Sequence, residues 1–280
     1  MKVKLIVCCH KESARGDDLV VTVKAGAALG REEVVCDFSD DEGENISEKN
    51  ARYNELTVLY WAWKNPALLG DPDVIGLMHY RRYFLLDEKV KDAVLRTDAP
   101  EDLFREKACI DAERAEALLS KGDFICPRPV RRSSVYKQYA RSHKREDLDA
   151  ATDILKRLFP DYADTAEEYL DGKECFFFNM FVFPKEIFLR YCAFIFPILE
   201  AFERERGERG RLYVSERLTG IFIRKLIKEG KSPVFLPVLC REEGRLRAFR
   251  KAWKESGSIK EKAIAVLRLM IRRPREGRRI

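Results

Sequence analysis

The residues able to do chemistry fall at a few places in the chain. His79-Tyr80-Arg81-Arg82 closes the apolar run VIGLM at residues 74–78, so a buried strand would deliver an imidazole, a phenol and two guanidinium groups at one end. Paired arginines suit a diphosphate, because each planar fork can grip phosphate oxygens bidentately. The competing reading is structural pairing with Asp or Glu, and strand alternation needs only one of the two to face inward. Asn179 stands alone in the apolar run CFFFNMFVF, residues 175–183. A buried amide without partners costs about 1–3 kcal/mol, so it either pins a loop or lines a pocket. Glu216 follows Ser215 at a helix start, where the dipole favours a carboxylate. It is either a cap pair or a general base on a hydroxyl. His10 and Lys11 follow the first apolar run, at the strand end where open α/β sheets bind ligands. Asp40 and Asp41 begin an acidic turn; they are either solvated or, beside a nucleotide, acceptors from a base or ribose.

Holding these groups in place requires strands that alternate with helices. Residues 3–9, 19–23, 34–38, 74–78, 124–126, 175–183 and 234–239 read as strands. Residues 50–65 read as one helix: Tyr53, Leu56, Thr57 and Tyr60 recur at three- and four-residue steps, Asn45 or Ser47 caps the start, and Pro66 stops it. Further helices are expected at 111–121, 135–143, 147–159, 163–170, 185–205 and 213–229, with a polar excursion containing a helix at 87–109. Pro233 and Pro237 suggest an edge position for the last strand. The alternation predicts an α/β fold with a mainly parallel sheet.

Charge divides the chain in two. Residues 245–280 carry 13 Lys/Arg against 3 Asp/Glu, a charge of +10, so the first 244 residues sum to −4 within the total of +6. We therefore expect one domain over 1–244 and a basic C-terminal helical tail over 245–280. Within the tail, residues 258–273 are apolar on one side (Ile259, Ala263, Val266, Leu267, Met270) and basic on the other (Lys260, Lys262, Arg268, Arg272, Arg273). Such a helix either lies on an anionic membrane surface or docks on the body. The tail has no nucleic-acid-reading motif, so nucleic acid is not an expected partner. Eight scattered cysteines without C-x-x-C fit a reduced cytoplasm, with thiols as small core residues. Three histidines give no zinc-ligand spacing. No apolar run reaches the roughly 18 residues of a membrane span, and the run at 5–9 is too short for a signal-peptide core. P-loop, G-x-S-x-G, H-E-x-x-H and kinase motifs are absent, and residues 26–30 lack dinucleotide-binding glycine spacing.

Residues 40–84, DDEGENISEKN..Y.ELT..YWAWKN......IGLMHYRRYF, resemble the signature of the bacterial capsular and exopolysaccharide glycosyltransferase family first described as a domain of unknown function. Gln138-Tyr139, Ser142-His143 and Asp147-Leu148 resemble its middle, and NMFVFPKEIFLRYCAFIFPILEAFE with SERL resembles its second half. The resemblance covers roughly residues 1–240 and leaves the tail outside. Asn54 stands where the family commonly has Cys, and Arg211-Leu212-Tyr213-Val214 stands in place of its R-x-F-G.

The resemblance implies a GT-A-like, Rossmann-related fold: a mixed, mainly parallel sheet flanked by helices. It implies a hexosyltransferase that takes a nucleotide-sugar donor, a UDP-sugar by expectation, and a lipid-linked saccharide acceptor. The family is associated with galactosyl or galactofuranosyl transfer in capsule or exopolysaccharide synthesis. The expected location is cytoplasmic, peripheral at the inner face of the cell membrane. Carried onto this chain, it makes His10, Lys11, Asp40, Asn45, Ser47, Lys49 and Asn50 donor-side candidates. Arg81 and Arg82 would stabilise the leaving diphosphate. Glu216 would be the base of an inverting reaction, and His79, Tyr80 and Asn179 would shape the acceptor pocket. A divalent metal, Mn or Mg, is not favoured: Asp71-Pro72-Asp73 has D-x-D form but precedes the apolar strand, and HYRRYF occupies the place after it. The competing classes are a non-catalytic component that binds sugar nucleotide or polysaccharide in an assembly complex, and a pure interaction module.

Overall fold

Strands covered on both faces frame the molecule. The computed structural model describes residues 1–11, 16–30, 33–99, 101–207, 212–242 and 278–279. Strand β1 (Val3–Cys9) sends Leu5, Val7 and Cys9 into one apolar core and Ile6 and Cys8 into the other, as a period of two requires. Strands β2 (Val20–Lys24) and β3 (Phe38–Ser39) continue the sheet on one side of β1, all parallel. Two short helices, α1 (Asn50–Tyr53) and α2 (Leu56–Lys64), lead to β4 (Val74–His79), parallel to β1 on its other side.

After β4 the chain reverses into β5 (Arg82–Phe84), then forms β6 (Val94–Thr97), α3 (Glu101–Lys107), α4 (Ala112–Leu119) and β7 (Phe124–Pro127). The second half comprises β8 (Val130–Arg131), α5 (Val135–Ala140), α6 (Arg145–Leu158), α7 (Ala163–Asp171), β9 (Glu174–Cys175) and β10 (Phe181–Pro184). It continues through α8 (Lys185–Arg206), α9 (Ser215–Lys228), β11 (Pro233–Leu236) and β12 (Val238–Arg241), with β13 (Arg278–Arg279) lying parallel beside β6.

The main sheet runs β3-β2-β1-β4-β10-β7-β11, and β10 is antiparallel to both neighbours. A second path leaves β4 through β5 to β12 and β6. Helices α2 and α5–α9 cover one face, where Trp61, Tyr139, Leu148, Phe188 and Phe222 share a core with Ile75 and Leu77 of β4. The other face packs Met78 of β4 with Phe84, Phe104, Leu118 and Leu239. This is an α/β architecture with a mixed, mainly parallel sheet flanked by helices.

Four expected elements come out differently. The strand expected at 34–38 shrinks to β3, because the Asp37 carboxylate, not a backbone carbonyl, takes the Thr22 N–H at 2.9 Å. The helix expected at 50–65 breaks at Asn54, whose φ of 51° suits asparagine better than most residues. The apolar run 175–183 is two short strands joined by a kink at Phe178 and Asn179, with φ of 81° and 50°. The strand expected at 234–239 splits at Pro237, which has no N–H to carry a ladder onward. None of the eight cysteines is in a disulfide, and six of them are buried. The amphipathic helix expected at 258–273, and with it nearly all of the 245–280 tail, lies outside the described residues. Among the described residues no helix is long and apolar enough to cross a membrane.

Candidate active site

The carboxyl ends of β1 and β4 open into a cleft of about 340 Å³. β4 and β5 pair His79 with Arg82, so Tyr80 and Arg81 form the two-residue connection between them. This turn is held from below: the Tyr80 N–H donates to the Cys8 carbonyl at 3.0 Å, and the Arg81 carbonyl accepts from Arg241 N–H at 2.9 Å. The reversal brings His79, Tyr80, Arg81 and Arg82 all onto the cleft wall, more than alternation along one continuous strand would allow. Arg82 also lies over the Phe178 ring, 5.2 Å from its centroid, which ties the turn to the kink before β10.

That kink organises the opposite chemistry. Asn179 is 2% exposed, and its Nδ2 donates to Glu55 Oε1 at 2.7 Å and to Ser215 Oγ at 2.9 Å. Its Oδ1 accepts from Thr219 Oγ1 at 2.9 Å. A carboxylate offers only acceptors, so the Glu55 contact fixes which way the amide faces. One residue earlier, the Phe178 N–H donates to Glu216 Oε1 at 3.3 Å, and the Phe178 carbonyl lies 2.6 Å from His79 Nε2. A carbonyl can only accept, so His79 carries its proton on Nε2. Two helix starts thus present carboxylates to one cleft, Glu55 before α2 and Glu216 in the first turn of α9, where the dipole favours negative charge. Glu216 Oε2 also pairs with Arg217 at 3.1 Å, a guanidinium only 2% exposed. The backbone before the kink is fixed by Tyr169, whose hydroxyl accepts from Phe176 N–H at 3.1 Å. That hydroxyl occupies the notch at Gly220, where a Cβ would stand 2.0 Å from it.

The donor-side candidates separate. His10 and Asn50 line the cleft, and Asn50 is held by its Nδ2 donating to Asn54 O at 2.8 Å and Thr57 Oγ1 at 3.0 Å. Gly26, at φ 68°, passes close over Asn50: a Cβ there would fall 2.7 Å from its side chain. Asp40 and Ser47 have no exposed surface and sit beneath the cleft. Asp40 accepts from Gly26 N, Ala27 N, Ser47 Oγ and Thr57 Oγ1 at 2.8, 3.0, 2.5 and 2.6 Å, so its carboxylate is used up inside the protein. Asn45 braces its own turn through the Asp41 and Gly43 carbonyls, and Lys49 pairs with Glu203 at 3.0 Å. Lys11 is exposed beyond β1, and neither it nor Asn45 nor Lys49 lines the cleft. None of Asp40, Ser47, Asn45, Lys49 and Lys11 lines the cleft. His10, Asn50, His79, Tyr80, Arg81, Arg82, Asn179 and Glu216 converge on it.

Sequence reasoning passed over Cys8, Glu55, His143 and Tyr213, which also line the cleft. A signal for Glu55 existed in its helix-start position. His143 lies in the turn between α5 and α6, and nothing local marks it as facing the same space as residue 216. Burial, with the nearby charges of Glu55 and Asp40, pushes the Cys8 thiol well above its ordinary value. Burial holds His79 below the usual histidine value, and Arg82 pushes the same way against Glu55 and Glu216. His143 is likewise lowered by burial and by Arg217. Among the described residues no three His, Cys, Asp or Glu side chains gather as a metal-holding group. Asp71 and Asp73 lie at the amino end of β4, away from the cleft, where they bind Lys185 Nζ at 2.6 Å and the Lys2 N–H at 2.7 Å.

Two antiparallel strands, β10 and β5, set among parallel ones, with the cleft at the carboxyl ends of β1 and β4, define a GT-A-like α/β fold. Residues 4–228 match the family described as Domain of unknown function (DUF4422), and the chain belongs to that family. Among solved structures it is similar to one described as the apo structure of the bifunctional glycosyltransferase WbbM, with a TM-score of 0.76 and 26% identity. The match covers 86% of this chain and 46% of the other, so this chain spans just under half of that neighbour's length. No curated protein matches the chain.

Proposed function

We propose that this cleft transfers a glycosyl unit from a nucleoside-diphosphate sugar to a saccharide hydroxyl. The observation that carries the reading is the convergence of a two-arginine turn and a helix-start carboxylate on one cleft, at the strand ends where α/β sheets bind nucleotides. Likeness to a bifunctional glycosyltransferase supports the same class. In the finer reading the donor is a UDP-hexose, with galactosyl or galactofuranosyl units as the candidates. The acceptor is a lipid-linked saccharide of capsule or exopolysaccharide synthesis, met at the membrane face.

In this scheme Arg81 and Arg82 take up the charge that develops on the departing diphosphate. Glu216 accepts the proton of the attacking hydroxyl as the new bond to the anomeric carbon forms and the bond to phosphate oxygen breaks. Arg217 and the Phe178 N–H hold the carboxylate in position for this transfer. Glu55 keeps Asn179, and through it the kink, in place.

The test uses the full chain with UDP and UDP-sugars. Arg82→Ala should weaken UDP binding by about 10- to 100-fold, the worth of a charge-assisted hydrogen bond, with little change in thermal midpoint. Glu216→Gln should keep UDP affinity and lower sugar release or transfer by about 10²–10⁴-fold. Undiminished turnover in Glu216→Gln removes the base role, and UDP binding without any sugar release by the wild type favours a non-catalytic binder.

A further inference from the structure

The segment that enters α9 brings a second kind of surface to the cleft. Tyr213 lines it while remaining 50% exposed, unusual for a large ring beside so many polar groups. The ring is not loose. It stacks on His143, centroids 4.7 Å apart and planes 31° from parallel. His143 in turn lies 4.9 Å from the Tyr139 ring at 40°, and Tyr139 is fully buried, with the Arg217 guanidinium 5.5 Å from its centroid. Three rings thus form a column from the core to the cleft, anchored at its base by the same arginine that holds Glu216.

We propose that the Tyr213–His143 stack is the acceptor subsite: a pyranose ring lies with its C–H face on Tyr213 and turns a hydroxyl toward Glu216. The inference rests on the transferase reading above and adds to it the surface that receives the saccharide. Its logic is one of distance. A base must stand about 2.6–3.2 Å from the hydroxyl it deprotonates, so the sugar bearing that hydroxyl lies against whatever flanks the base. Tyr213, three residues before Glu216, lines the same cleft as that carboxylate. In the transferase reading the nucleotide lies at the ends of β1 and β4, beside His10, Asn50 and the arginine turn. A sugar's C–H face is apolar, and an aromatic face carries the negative part of the ring quadrupole, so the two attract. A ring already ordered by stacking loses little freedom when the sugar arrives.

Calorimetry with UDP and saturation-transfer NMR with methyl β-D-galactopyranoside and methyl β-D-glucopyranoside test the assignment in the full chain, UDP present. The variants are Tyr213→Ala and Tyr213→Trp. The wild type and Tyr213→Trp should bind at least one glycoside, and Tyr213→Ala should bind it about tenfold more weakly, the order of one aromatic stacking interaction. UDP affinity should stay within about twofold in all three, as expected where no nucleotide contact is lost. Equal glycoside binding by Tyr213→Ala, or none by the wild type, overturns the subsite. A large loss of UDP affinity in Tyr213→Ala overturns it too, by showing that the nucleobase occupies the ring. If the wild type binds glycoside through Tyr213 but does not bind UDP, the donor reading fails and the saccharide subsite stands.

Discussion

Asp40 and Asn179 are polar residues with 0% and 2% of their surface exposed, each set against apolar core. Asp40 draws its four donors from residues no more than 17 positions away, and none of them is a charged group of the cleft. Asn179 reaches partners 36, 40 and 124 positions away, and one of them is a cleft carboxylate. The first closes a local knot that fixes the loop after β2 against α2. The second joins three distant elements at the place where chemistry is expected. Burial alone therefore does not distinguish a scaffold residue from a site residue; where the hydrogen bonds lead does.

Breaking the knot should have the larger effect on stability. Asp40→Ala leaves two buried N–H groups and two hydroxyls without their acceptor. At about 1–3 kcal/mol for each unsatisfied buried group, discounted for hydroxyls that can turn elsewhere, the loss should be on the order of 3–5 kcal/mol. Urea unfolding measures it, and UDP affinity extrapolated to the folded fraction should be unchanged. An Asp40→Ala protein of normal stability that no longer binds UDP would make Asp40 a ligand contact and erase the contrast with Asn179.

Asn179→Ala should cost less stability, about 1–3 kcal/mol, and more function. Without the amide, Glu55 and the Phe178 kink lose their link, and with them the backbone N–H that orients Glu216. Turnover should fall at least about tenfold while UDP affinity holds, since a catalytic group shifted by an ångström or so loses rate before it loses binding. Asn179→Asp sharpens the point by setting a carboxylate against Glu55. At pH 7 it should be less stable than Asn179→Ala, because two like charges in one buried place repel. Equal stability of the two variants would mean that the Glu55 contact is not made in solution.

The sequence made the sheet legible because strands buried on both faces have to be continuous apolar runs, as at residues 3–9 and 74–78. It made the cationic turn legible because His79-Tyr80-Arg81-Arg82 is contiguous. It did not show that Asp40 would be buried, because that depends on the Gly26 and Ala27 N–H groups turning inward, a feature of backbone geometry that no residue type announces. It read residues 175–183 as one strand because periodicity records burial, and Phe176, Met180 and Phe181 are as buried in a kinked segment as they would be in a straight one. His143 and Tyr213 were missed for a related reason: a cleft assembled from seven separated stretches of chain leaves no local spacing to find.

His79 extends the comparison with the smallest expected effect. It is buried on the same side of the cleft as Asn179 and donates to the kink itself, at the Phe178 carbonyl. Burial lowers its affinity for a second proton below the ordinary histidine value of 6.5, and Arg82 adds to that. The unfolded chain takes up this proton near 6.5, whereas the folded chain resists it to lower pH. Between those two points the unfolded state holds more protons, so stability is full above pH 6.5 and declines as the pH falls below it. His143 contributes with the same sign, but it is closer to solvent and should matter less. The carboxylates lowered in the folded state, Asp17, Glu44, Asp123, Glu146 and Glu229, start from 3.8 (Asp) or 4.5 (Glu) and add their own decline only further down. Urea unfolding at pH 7.5, 6.5 and 5.5 therefore isolates the histidines. His79→Gln keeps an amide donor for the Phe178 carbonyl but cannot titrate, so its stability should change less over this range than the wild type's. Identical pH dependence in the two proteins would show that the imidazole is not sealed beneath the kink, and Asn179 would then anchor that segment without it.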